Sequence, residues 1–277
     1  MAVAMVWPFV PGLHGASLRP GFAKLAAGQA AAGNPFDSPA LRNYLSGRAG
    51  DIGAAVYDAE TGTTYCYRPA LAEDTASIVK VDILATLLAE AQAAHRQLSA
   101  AEGGLAGSMI EESDNDAASG LWQDEGGAGA VARFDARLGL QDTTPNVAWG
   151  LTSTTACDQV VLLRTIAYPG AVLTPASRSY ELGLMSRVDP RQRWGIPDGV
   201  PAGVPVAVKN GWLPVGGGWQ INSDAYVHGD GRDYVVSVMT RGNPTEGYGI
   251  ETIGHISAYL WRELAPRSGI AKLHGWH

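Results

Sequence analysis

The sequence predicts an α+β fold: an antiparallel sheet of about five strands, built from both ends of the chain and flanked by helices, with a helical lobe between. Three observations predict it. A helix and a strand-like hairpin come first, helical segments fill the middle, and three strands with an amphipathic helix come last, an order unlike alternating βαβ units. One central segment, from about Thr75 to His95, is apolar on nearly every side and belongs inside a domain. The composition also supplies a core: of 277 residues, 46% are hydrophobic and 17% charged, which rules out general disorder.

Residues 1–37 read as a loosely structured arm rich in Ala, Gly and Pro. Residues 38–265 read as one domain, with its α/β part in 38–75 and 200–265 and its helical part in 76–199; 266–277 read as a tail. Ser38-Pro39 is an N-cap followed by a first-turn proline, opening a helix through Leu45. Ile52–Tyr57 and Thr63–Tyr67 are strand-like runs around a turn at Asp58–Gly62 and read as an antiparallel hairpin. After the apolar segment, helical runs are expected over Ala117–Trp122, Gly129–Leu138, Ala156–Tyr168 and Pro175–Met185, with Gln141–Thr155 irregular between two of them. Val204–Val208, Gln220–Val227 and Tyr234–Thr240 read as strands, separated by turns at Gly216-Gly217-Gly218 and at His228-Gly229-Asp230-Gly231. Ile250, Ile253, Ile256, Leu260, Trp261 and Leu264 mark the apolar face of the last helix.

The formal net charge of −7 argues against nucleic acid or anionic lipid as the main partner, since both are held chiefly by Lys and Arg. No apolar run approaches the ~20 residues that span a bilayer. The opening Ala2–Val10 is apolar but carries Pro8 and no positive charge, and reads either as the remnant of a signal peptide or as an ordinary terminus. Cys66 and Cys157 are too few for a disulfide framework. They read as two small buried thiols, with a single bridge as the alternative. The six histidines (His14, His95, His228, His255, His274 and His277) show no metal-ligand spacing, so metal catalysis is not expected.

Lysine is rare, at Lys24, Lys80, Lys209 and Lys272 only, and two of the four fall in motifs. Ser77-Ile78-Val79-Lys80 places a hydroxyl and an amine one helical turn apart on the same face. A serine hydroxyl needs a base before it attacks, and Lys80 becomes one if the apolar helix desolvates it. The plain alternative is a capping serine and a surface lysine. Ser113-Asp114-Asn115 forms a polar turn before a helix, and by itself reads as a cap. Lys209-Asn210-Gly211-Trp212 ends a strand-like run.

In that order the three motifs resemble the Ser-x-x-Lys, Ser-Asp-Asn and Lys-Thr-Gly set of the penicillin-recognising serine enzymes, specifically the class A β-lactamase-like branch, over about residues 38–265. The resemblance implies the β-lactamase/D,D-transpeptidase-like fold, a monomer without a cofactor, and a small-molecule or peptide-like acyl substrate such as a β-lactam. It implies catalytic roles for Ser77, Lys80, Ser113 and Lys209: Ser77 is acylated, Lys80 takes its proton, Ser113 passes a proton to the leaving group, and Lys209 attracts a substrate carboxylate. It further implies substrate binding by Asn115, Asn210, Gly211 and Trp212, with backbone N–H groups of Ser77 and Trp212 as oxyanion hole. The family works mostly outside the cytoplasm, which implies secretion or the cell envelope.

Three departures limit that reading. Thr143–Cys157 holds no acidic residue, so the loop lacks the glutamate by which class A enzymes activate water, and efficient β-lactam hydrolysis is not expected. Glu111, Glu112 and Glu125 are candidate substitutes by their sequence proximity to the Ser113 turn. Asn210 and Trp212 stand where Lys-Thr-Gly has threonine and where a small residue usually follows, and Trp149, Trp212 and Trp219 read either as an aromatic cleft lining or as packing. The span from Ser77 to Ser113 is short, which implies a reduced helical lobe. Arg193 and Arg241 are candidate second anchors for a carboxylate. A binding module on the same scaffold, a D,D-peptidase and a biosynthetic acyl transferase are the alternatives to a hydrolase.

Overall fold

A strand buried on both faces is apolar throughout, and β1 (Asp51–Asp58) is buried at every residue from Ile52 to Val56. It forms a hairpin with β2 (Thr63–Tyr67). In the computed structural model, which describes residues 33–265, this hairpin joins β5 (Val206–Val215), β6 (Gly218–Gly229) and β7 (Arg232–Asn243) in an antiparallel sheet of order β2-β1-β7-β6-β5. The expected five-stranded sheet, built from both ends of the chain, is therefore present. The three late strands run longer than the alternation suggests. Pairing between β5 and β6 continues to Val215↔Gly218, so Lys209–Trp212 lie inside β5 rather than at its end. A two-stranded ladder of β3 (Ala72–Asp74) with β4 (Ser153–Thr155) is too short to show as periodicity.

The two faces of the sheet differ. Ile221 of β6 faces α8 (Glu246–Glu263), where a Cβ on Gly249 would lie 2.5 Å from its side chain. Tyr226, of opposite parity, meets Tyr168 at the end of α6 (Ala156–Ala167) on the other face. On this side α6 and α7 (Pro175–Ser186) pack against the strands, and α2 (Val79–Ala93), buried without exception from Val79 to Ala89, is surrounded by α3 (Ala100–Glu111), α4 (Asn115–Asp124), α5 (Ala128–Leu138) and α7. The helix expected over Thr75–His95 begins as a separate 3-10 turn at Ala76–Ile78. Helix α3 has no counterpart in the sequence reading, because Gly103, Gly104 and Gly107 depress helix propensity; a Ser99/Glu102 capping box starts it.

Two expectations are corrected. Cys66 and Cys157 are bonded to each other: β2 is an edge strand, α6 begins beside it, and the Cα atoms stand 6.1 Å apart. Pro35–Asp37, assigned to the loose arm, forms a 3-10 turn and buries Phe36, whose ring centroid lies 6.1 Å from that of Tyr67. Residues 1–32 of the arm and the 266–277 tail lie outside the described residues. Helix α1 (Pro39–Ser46) follows that turn, with Ser38 as its N-cap residue. Among the described residues no helix is long and apolar enough to cross a membrane.

Candidate active site

The turn that presents Ser77 is held from three sides. Ala76, just before it, adopts φ +48, a left-handed conformation that strains a residue with a Cβ. The Asn222 amide of β6 donates to the carbonyls of Asp74 (2.9 Å) and Thr75 (3.0 Å), and Gln220 donates to Asp74 as well. From the loop before β4, the carbonyl of Thr152 accepts from Thr75 N–H at 2.8 Å. Strand β5 presses against the turn at Gly211, where a Cβ would lie 2.8 Å from Ser77 N and 3.0 Å from Ile78 N. Only glycine permits that approach. It brings the Ser77 N–H next to the backbone that continues into Trp212.

Ser113 occupies the link between α3 and α4, also with a left-handed φ of +58. Its Oγ meets Lys80 Nζ at 3.1 Å and Lys209 Nζ at 3.0 Å, so one hydroxyl bridges two amines that arrive from different elements. Lys80 Nζ also reaches Ser113 O and Asn115 Oδ1, both at 2.7 Å, and Lys209 Nζ donates to Asn210 O at 2.9 Å. Asp114 caps α4 by accepting from Ala117 N–H at 2.8 Å. Both lysines are fully buried. Burial brings Lys80 down to about 7 against the pull of Asp114. Burial, together with the nearby charge of Lys80, holds Lys209 well below the usual amine range. Among the described residues there is no Ser77 Oγ–Lys80 Nζ hydrogen bond: three acceptors around Ser113 and Asn115 hold that amine instead.

The rims are aromatic. Trp149 lies in the acid-free loop, with its ring centroid 5.0 Å from Lys80 Nζ and its indole N–H donating to Ser119 Oγ at 3.1 Å. An aromatic face therefore stands over the amine. Trp212 meets Trp194 edge-on at 5.8 Å. Trp219, opposite Pro214, makes no ring contact with the site among the described residues. Asn210 is 1% exposed, and its amide hydrogens go to the carbonyls of Gln192 (2.7 Å) and Trp194 (2.9 Å), fastening the segment that carries Trp194 over β5. That spends the hydrogen-bond donor the sequence reading had assigned to substrate.

The structure does not bring the remaining candidates to Ser77. Glu111 pairs with Arg187, Glu112 is exposed, and Glu125 is buried facing Glu90. Arg241 pairs with Asp51, and Arg193 donates to the carbonyls of Val206 and Ser186. Sequence reasoning missed Gln220, Asn222 and Asp224, which are 3%, 0% and 0% exposed. The signal is a polar residue at every second position of a strand between apolar runs, which gives one buried polar face.

The model of the beta-lactamase enzyme family matches residues 103–264, a span that contains Ser113, Asn115 and Lys209–Trp212 and begins after Ser77 and Lys80. The crystal structure of TLA-1 extended-spectrum beta-lactamase superposes with a TM-score of 0.74 at 17% identity, covering 82% of this chain and 97% of that one. PBP-A superposes with a TM-score of 0.70 at 20% identity, covering 80% and 92%. Proteins named "Putative lipoprotein LppW" from Mycobacterium tuberculosis (strain ATCC 25618 / H37Rv) and Mycobacterium bovis (strain ATCC BAA-935 / AF2122/97) are 29% identical over 197 residues, 68% of this chain. The chain spans 62% of the length of those relatives.

Proposed function

The chain belongs to the beta-lactamase enzyme family, and from that premise we propose that it is a serine acyl hydrolase or transferase working through an acyl-Ser77 intermediate. The observation that carries the reading is the bridge Lys80–Ser113–Lys209, with both amines buried, adjacent to the Ser77 turn. As Ser77 Oγ bonds to the substrate carbonyl, its proton passes to the neutral amine of Lys80. The N–H groups of Ser77 and Trp212 would stabilise the oxyanion, a contribution worth ~10²–10³ in rate per donor. When the bond to the leaving group breaks, Ser113 gives its proton to that group and recovers one from Lys80, so the Ser77 proton ends on the leaving group. Lys209 supplies positive charge for a substrate carboxylate, and the Asn115 amide nitrogen faces the acyl side chain.

Release of the acyl group is the slow half. With Trp149 beside Lys80 and no carboxylate in its loop, no group in that loop can activate water. A long-lived acyl-enzyme, or transfer to an acceptor other than water, follows. The cystine and the lipoprotein relatives support a place in the cell envelope.

A fluorescent penicillin is expected to label wild-type protein covalently and to leave Ser77→Ala unlabelled. Undiminished labelling of Ser77→Ala, or no labelling with any of several penicillins and active esters, overturns the proposal. The absent Ser77–Lys80 bond favours one second reading, a binding module; ligand binding that survives Ser77→Ala with no turnover of nitrocefin would decide for it.

A further inference from the structure

A buried charge needs an opposite charge or must be neutral, and the two lysines of this site do not have equal surroundings. Their amines lie on either side of one Ser113 oxygen. Two ammonium groups at that separation, both sealed from water, repel strongly, so the stable occupancy is one extra proton between them. The charged groups turned toward the pair are Asp114, at the start of α4, for Lys80, and Asp224, on β6, for Lys209. Asp114 already caps its helix.

Asp224 lies directly across from Lys209 in the β5–β6 register and directly across from Ser237 in the β6–β7 register. Opposed residues of an antiparallel pair project from the same face with Cβ atoms about 4.5–5.5 Å apart. Lys209, Asp224 and Ser237 are each 0% exposed, and neither Asp224 oxygen has a hydrogen-bond partner among the described residues. An apolar side chain would fill that place without any desolvation cost. A carboxylate there has an electrostatic consequence instead.

We propose that Asp224 is a positioning residue, the buried counter-charge that draws the shared proton to Lys209 and so leaves Lys80 as the free amine able to deprotonate Ser77. The use made of Lys80 rests on the acyl-Ser77 reading; the location of the proton does not. Burial and the charge of Lys80 both hold Lys209 down, and Asp224, itself pushed up by burial to about 7, is the group that opposes them.

The chain has four lysines, so protein carrying lysine labelled with carbon-13 at Cε gives four NMR signals, assigned by single Lys→Arg substitutions. Titration of wild type, Asp224→Asn and Asp224→Glu then follows each amine without reference to activity. In Asp224→Asn the Lys209 midpoint should fall and the Lys80 midpoint rise, each by about one pH unit, a tenfold redistribution; Asp224→Glu should recover part of both shifts. The acid limb of acylation by fluorescent penicillin should move upward with Lys80, about tenfold slower near neutrality and converging with wild type at high pH. If Asp224→Asn does not fold, Ser237→Ala should give smaller shifts in the same directions. Unchanged midpoints for both lysines in a folded Asp224→Asn protein, or in Ser237→Ala where that variant stands in for it, overturn the proposal. Shifted midpoints in a protein that no acyl donor labels uphold it and overturn the acyl-Ser77 reading instead.

Discussion

Lys80 is the residue whose environment says most about chemistry. Its sequence neighbours predict desolvation, and it is fully buried with its amine brought down to about 7. What the sequence could not show is where that amine points, because its partners, Ser113 in the α3–α4 link and Asn115 at the start of α4, are 33 and 35 residues away. As the proposed base, Lys80 should set the acid limb of acylation: labelling rates rise with pH through about 7 and level off above it. Lys80→Met should slow labelling ~10²–10⁴-fold without loss of fold, checked by stopped-flow labelling and circular dichroism. Gly211 is the other decisive position. A Cβ there meets the backbone of the Ser77 turn, which cannot yield as a side chain would. Gly211→Ala should therefore cost about 1–3 kcal/mol in chemical denaturation and abolish labelling.

At the scale of elements, α2 was legible because apolar residues fill every side of it, yet that same pattern hides its most unusual member. Asp82 is 1% exposed and faces Asp135 of α5 (3%) and Glu181 of α7 (0%), with no cation among them. Burial raises all three carboxyls, Asp135 to about 6, and the neighbouring acids push Asp82 up further. Each folded value lies above the unfolded one, so the folded state keeps protons that the unfolded state releases. This contribution to stability is therefore intact below about pH 4 and is lost as pH rises toward the folded values. The melting temperature should fall between pH 5 and pH 8, and Glu181→Gln should raise it at pH 8 and flatten the slope. An unchanged slope in that variant would show that Glu181 is ionised in the native state. Short or glycine-rich elements were less legible. Strands β3 and β4 have three residues each, and three glycines disguise α3, so both depend on partners that a local pattern does not contain.

Across the whole molecule, the sheet was predictable because its two halves carry strand signals at opposite ends of the chain, while the bond that ties sheet to helical lobe was not. Cys66 and Cys157 are 91 residues apart in sequence, a distance over which composition says nothing about proximity. Closing a loop of that size restricts the unfolded chain by ~4–5 kcal/mol on the loop-entropy account, and removing a native bridge generally costs about 2–5 kcal/mol. Denaturation of Cys66→Ser/Cys157→Ser protein should show a loss in that range, with labelling retained below the new melting temperature. The order of the strands has one more effect. β2 ends the sheet on one side and is stapled to α6, whereas β5 ends it on the other and has only β6 as a paired strand. An edge offers unpaired main-chain donors and acceptors to any extended polypeptide laid along it. Because this edge includes the glycine that abuts the Ser77 turn, the proposed acyl-Ser77 chemistry would let a donor with amide groups be gripped as though it were a sixth strand, in a register read from its backbone and largely indifferent to the side chains it carries.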